Sequence, residues 1–233
     1  SVPLTYGLAG LQAAILLLGA FLATRLSLGT RAAWISTLLI TCLMYHNVRL
    51  RYYNHNSALM VACAFSVVAV WNAARMDRTV WWAALGCCWG LGALSKYQMA
   101  VPFGCNLLFL ATASPLSRMR RLRGIAIAGA VCVTLIAPHV VWLCQHDFQP
   151  FSYASGSLLA RQPLVDRVKD VAYFVGYQLG RSAHLIALVA ILSWIARTRT
   201  PVSPSPSSDA ASWAAGRLWA IHAWGPFLFM GSL

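Results

Sequence analysis

Trp81-Trp82-Ala83-Ala84-Leu85-Gly86-Cys87-Cys88-Trp89-Gly90-Leu91-Gly92-Ala93-Leu94-Ser95 is an apolar run that ends on Lys96, and a second apolar run, Tyr97 to Thr112, follows at once. Continuous runs of this kind read as buried helices, and a bilayer core asks for about 20 apolar residues per crossing. Lys96 is one of only two lysines in the chain and stands where the two runs meet. A charge at that depth is costly unless it reaches the interface or gains a counter-ion. Two readings follow. The side chain snorkels to headgroups, or its ammonium lines a membrane cavity and contacts an anionic ligand, with a lipid-linked phosphate as the natural candidate.

The rest of the chain settles the solvent. Its residues are 59% hydrophobic and 10% charged, against about 25% charged in soluble domains. The alternation of a membrane β-barrel is absent. The expected fold is all-α: a polytopic transmembrane helical bundle forming one domain over residues 1–233. Expected spans are Leu4–Thr24, Ala32–Tyr45, Ser57–Ala74, Val80–Ser95, Gln98–Thr112, Gly124–Cys144, a stretch within Val171–Ala196, and Leu218–Leu233. That makes seven or eight. Ser1 opens the chain without Met or a basic signal region, and the chain stops inside an apolar run, so both ends are expected to be cut.

The net charge of +13 comes from arginines grouped in short connections. These are Arg25/Arg31 around Gly29, Arg75-Met76-Asp77-Arg78, the Pro115–Arg123 turn with four arginines, and Arg197-Thr198-Arg199. The last leads into a Pro/Ser-rich loop, 198–214, expected to be flexible and cytoplasmic. Such placement serves orientation and anionic headgroups rather than nucleic acid. The positive-inside rule puts the N-terminus outside and leaves Tyr45–Asn56, the Lys96 junction and Gln145–Asp170 on the outer side. Arg49 and Arg51 fall there against the rule, which points to other work for them. The seven cysteines show no metal-ligand spacing and read as small packing residues.

Three outer segments carry the chemistry. His46 to Ser57 offers two forked donors, Arg49 and Arg51, for phosphate or carboxylate. In the same stretch Tyr52 and Tyr53 could stack on a sugar or mark the interface. Asn54, His55 and Asn56 could bond hydroxyls, and Ser57 would cap the next helix. Leu94 to Gln98 is the second segment. The third, Ala137 to Tyr153, holds Pro138, expected to kink its helix, and His146-Asp147, a proton carrier beside a carboxylate. It also holds Phe148, Phe151 and Tyr153, suited to a prenyl chain or to an interfacial girdle. His139 and His184 read as packing or hydrogen-bonding residues.

The chain has no Glu and five Asp: Asp77, Asp147, Asp166, Asp170 and Asp209. On the outer side only Asp147, Asp166 and Asp170 could act as a base. Asp166 and Asp170 flank Arg167 and Lys169 like an ordinary charged helix start. No phosphate-cradling Gly-rich loop, HExxH, GxSxG or CxxC is present. The residues imply no cofactor and no metal site.

Taken in order, three stretches resemble the GT-C superfamily, in particular the glycosyltransferase family 39, protein-mannosyltransferase-like membrane proteins of bacteria. Arg51-Tyr52-Tyr53-Asn54-His55-Asn56-Ser57-Ala58-Leu59 looks like the Asn-x-Asn-Ser/Thr helix entry of one bacterial branch. Trp89-Gly90-Leu91-Gly92-Ala93-Leu94-Ser95-Lys96-Tyr97 looks like the family's glycine-spaced helix ending in Ser-Lys-Tyr. Ala137-Pro138-His139-Val140-Val141-Trp142 through His146-Asp147-Phe148 looks like its Pro-His-x-x-Trp and His-Asp-Phe element. The resemblance covers about residues 1–160. It implies sugar transfer from a polyprenyl-phosphate donor to a glycan, lipid or protein acceptor on the outer face of the bacterial inner membrane.

It also implies Lys96, Arg49 and Arg51 as phosphate contacts, with Tyr53, Asn54, His55, Asn56, Tyr97 and His146 around donor phosphate and sugar. The family's principal acid lies in a first outer loop, and this chain has no Asp or Glu before Asp77. The catalytic residue is therefore unassigned, with Asp147 as a stand-in, and the chain is expected to be inactive alone. The alternatives are a transporter or flippase-like protein, with Lys96 and Arg181 lining the path, and an inserted but inactive remnant.

Overall fold

The computed structural model describes residues 2–42, 53–151 and 209–232, with scattered positions between 165 and 187. Seven helices are continuous among the described residues. They are α1 (Val2–Leu28), α2 (Thr30–Thr41), α3 (His55–Met76), α4 (Thr79–Ser95), α5 (Ala100–Ala113), α6 (Arg118–Gln145) and α7 (Asp209–Ser232), with a 3₁₀ turn, Tyr97–Met99, between α4 and α5. No strand occurs among the described residues.

Among the described residues, three helices are long and apolar enough to cross a bilayer: Pro3–Leu28, His55–Met76 and Arg118–Gln145. Thr79–Ser95 is a shorter apolar helix. Seven or eight full crossings are thus not found among the described residues, and the expected stretch within Val171–Ala196 lies largely outside them. The chain breaks early at Lys96, whose backbone is extended, and Ser114-Pro115 stops α5 after 14 residues. The Pro115–Arg123 stretch, expected as a turn, is helical from Arg118 onward. Pro138 lies inside α6, which continues through it. Asp209 opens α7 within the expected 198–214 loop, where Ala210, Ala211, Ala214 and Ala215 favour helix. Residues 198–208 lie outside the described residues.

Arginines in the first turns of α6 oppose its dipole, but they serve a neighbouring helix end. Arg121 donates to the carbonyls of Leu110 and Ala111 at 2.8 and 2.9 Å, and Arg217 donates to that of Thr112 at 3.1 Å. The last carbonyls of α5, which have no partner within their own helix, thereby gain cationic donors. Arg120 reaches Asp77 at 3.9 Å.

The core gathers where α3, α4 and α5 meet. Val70, Trp71, Trp82, Leu85, Trp89, Phe109 and Leu110 are all buried there. Two glycines set the distance between α4 and α6. A Cβ on Gly86 would run into the backbone carbonyl of Ala128, and one on Gly90 would lie 2.9 Å from Leu135 Cβ. Spacing of four puts both on one face, so the backbones approach as small-xxx-small helix pairs do in lipid. The outward surface remains apolar: Leu11, Leu18, Leu38, Val80, Leu91, Val133 and Val141 are exposed. Contiguous apolar surface of this kind faces hydrocarbon more readily than water.

A polar contact joins α5 and α7. His222 Nδ1 lies 2.8 Å from the Leu218 carbonyl, an acceptor, so this nitrogen carries the proton. Nε2 of a neutral ring then accepts. Asn106 is its partner across α5 and α7, with Oδ1 at 2.9 Å and Nδ2 unpaired. Turning the amide over lets Nδ2 donate to Nε2.

Candidate functional site

The helix directions bring the sequence motifs to one end of the bundle. The start of α3, the end of α4, the 3₁₀ turn and the end of α6 all lie there. The arginine-bearing ends lie opposite, as the Arg217–Thr112 and Arg120–Asp77 contacts show.

Asn54 is the N-cap of α3. Its side-chain oxygen accepts from the backbone N–H groups of Asn56 and Ser57, at 2.9 and 3.1 Å. The Ser57 hydroxyl accepts from the Asn54 N–H at 3.3 Å, closing a capping box. Sequence reasoning gave the cap to Ser57; the structure gives it to Asn54, with Ser57 three residues in. The Asn54 side-chain oxygen is therefore engaged in the cap. Ser57 also donates to Gln12 Oε1 at 2.5 Å, which ties α3 to α1.

The box orients Asn56. Its side-chain oxygen accepts from Lys96 Nζ at 2.8 Å, a contact between residues 40 apart in sequence. Lys96 caps α4 with its N–H on the Gly92 carbonyl at 2.9 Å. Its side chain is half-buried and forms no ion pair among the described residues. A neutral amide fixes the ammonium's position without cancelling its charge, so Lys96 keeps attraction for an anion.

Tyr97 carries the arrangement to α6. Its hydroxyl lies 2.9 Å from His139 Nε2. The rings continue as a column: Phe151–Tyr97 at 5.0 Å, Tyr97–His139 at 6.0 Å, His139–Trp142 at 5.7 Å and Trp142–His146 at 4.5 Å between centroids. His146 also places Nδ1 2.8 Å from the Trp142 carbonyl. His139 and Trp142 were not singled out as site residues. Their signal was the i, i+3, i+7 spacing of His139, Trp142 and His146, which aligns three flat rings on one helix face.

Asp147 follows the column in the left-handed region, φ 51°, as does Phe148. Such a backbone costs about 1–3 kcal/mol per non-glycine residue. The turn is closed by the Phe148 N–H on the Leu143 carbonyl at 3.1 Å. Asp147 is exposed and forms no ion pair among the described residues. Tyr53 and His55 are exposed at the start of α3. Asp166 pairs with Lys169 at 3.2 Å, the ordinary helical contact expected of that segment. Arg49, Arg51, Tyr52, Tyr153, Arg181 and His184 lie outside the described residues.

Comparison with known proteins adds one finding. The family model described as dolichyl-phosphate-mannose-protein mannosyltransferase matches residues 6–142, more than half of the 233. No curated protein and no solved structure matches the chain significantly. The matched stretch contains Asn54–Ser57, Lys96–Tyr97 and His139–Trp142, the segments that meet at one end of the bundle. The chain belongs to this family of GT-C-type membrane glycosyltransferases.

Proposed function

We propose that this chain takes part in moving a sugar from a polyprenyl-phosphate carrier to a glycan, lipid or protein acceptor at the outer face of a bacterial inner membrane. The observation that supports the reading is the Lys96–Asn56 contact at 2.8 Å, which holds at the motif end an ammonium without an ion pair among the described residues.

In such a transfer the bond between the sugar's anomeric carbon and the phosphate oxygen breaks, and an acceptor oxygen bonds to that carbon. The electron pair leaves with the lipid phosphate. Lys96 would stabilise the charge growing on that oxygen, and charge-directed contacts of this kind are a major source of catalysis. The exposed Tyr97 and Trp142 offer flat faces to a sugar or prenyl unit. Tyr53, His55 and His146 would contribute hydroxyl, phosphate or sugar contacts from the same end, and Arg49 and Arg51 further phosphate contacts. Asn54 would act through the capping box that places Asn56.

The acceptor proton needs a base. With no Glu and no Asp before Asp77, Asp147 is the carboxylate adjoining the ring column, and transfer by this chain alone is expected to be absent. Photo-crosslinking in vesicles tests the donor class. A polyprenyl-phosphate sugar should be captured and a nucleotide sugar should not. Equal capture of both would remove the lipid-linked donor, and robust turnover by the chain would show that its own carboxylates supply the base.

A further inference from the structure

The opposite end of the bundle holds a cavity of about 460 Å³ between α3, α5 and α7. Its walls include Trp71, Phe109, Ala113, Pro115 and Trp213, and Arg75 lines it as the one charged residue. Trp71 and Phe109 stack at 6.2 Å, so the floor is flat and apolar. The Arg75 guanidinium lies 5.1 Å from the Trp71 ring centroid and forms no ion pair among the described residues. Arg217, beside the cavity, lies over the Trp213 ring at 4.2 Å.

A second cavity of the same volume lies between the α3–α4 turn and the start of α6. There Asp77 accepts from Trp82 Nε1 at 3.3 Å and faces Arg120 at 3.9 Å, so its cationic side is partly answered from within. The Arg75 cavity has no such carboxylate. Its volume lies within the range of about 300–1,000 Å³ typical of ligand sites. A cation at the rim and aromatic walls below call for an amphipathic anion.

The surrounding charge selects one occupant. Among the described residues this end carries nine arginines against Asp77 and Asp209, a balance that draws anionic lipid headgroups. We infer that the Arg75 cavity binds an anionic phospholipid, its phosphate on the Arg75 guanidinium and one acyl chain along the exposed Pro115 and Trp213, above the buried Trp71–Phe109 floor. Inorganic phosphate would meet only the rim. A choline headgroup would bring its own cation to Arg75.

Native mass spectrometry of the detergent-purified chain tests this with phosphatidylglycerol, phosphatidylcholine and inorganic phosphate. Retention of phosphatidylglycerol should exceed that of phosphatidylcholine by about five- to tenfold. Arg75→Ala should bring it to the phosphatidylcholine level, and Arg75→Lys should keep part of the preference. Arg31→Ala, an exposed arginine at the same end but outside the cavity, should change nothing. Equal retention of the two lipids would overturn the site. So would an equal loss in Arg31→Ala, which would mean diffuse attraction, or displacement by inorganic phosphate, which would mean a bare cation at the rim. Lys96→Ala should leave this retention intact, which separates the lipid site from the donor site.

Discussion

Lys96→Ala is expected to weaken capture of a polyprenyl-phosphate sugar by about ten- to a hundredfold, the range of one charge-assisted hydrogen bond. Helix content should not change. The substitution removes the ammonium but keeps the backbone cap, because the Lys96 N–H, not its side chain, reaches the Gly92 carbonyl. The Asn56 amide loses its donor, yet lies at the bundle end and can turn to water. Lys96→Arg should recover part of the binding, since charge persists while the 2.8 Å geometry does not. A snorkelling anchor predicts otherwise: capture unchanged by Lys96→Ala, with only a small shift in stability.

Gly86→Leu should have the largest effect on stability. Its new Cβ would meet the Ala128 carbonyl, a backbone group that cannot rotate away. Either α4 and α6 separate or one of them bends, and overpacking of this kind costs about 1–3 kcal/mol. In a chain of this length that corresponds to a fall of roughly 2–12 °C in the thermal midpoint. Cys87→Leu is the control, because Cys87 is next in sequence but exposed. Equal midpoints for the two variants would contradict the close α4–α6 approach.

The sequence made the helical class legible because lipid leaves no other outcome for long apolar runs without alternation. It also placed the helix ends well where chemistry marks them, as at Met76-Asp77-Arg78 and after Ser95. Lengths were harder. The Pro115–Arg123 arginines looked like a loop because charge clusters are usually solvated. Arg121 instead caps α5 from within a helix, a relation between two helices that no local pattern encodes. The same limit explains Ser57. Both Asn54 and Ser57 are good capping residues, and only the backbone geometry decides which one stands outside the helix.

The candidate site shows in the sequence as residue types but not as partners. Lys96, Tyr97, Asn56 and His146 were visible singly. The Lys96–Asn56 bond and the Tyr97–His139 contact join positions 40 and 42 residues apart, and nothing in one sequence fixes such pairs. His139 was set aside as a packing residue because a lone histidine in an apolar run usually is one. It becomes informative once Tyr97 is seen against it.

Headgroup dependence of binding isolates what the Lys96 ammonium does. Undecaprenyl phosphate and undecaprenol share their chain and differ only in the group that Lys96 would hold. The chain in nanodiscs should bind the phosphate at least about tenfold more tightly, with the difference erased by Lys96→Ala. Equal affinity for phosphate and alcohol, or a preference that survives the substitution, would contradict it.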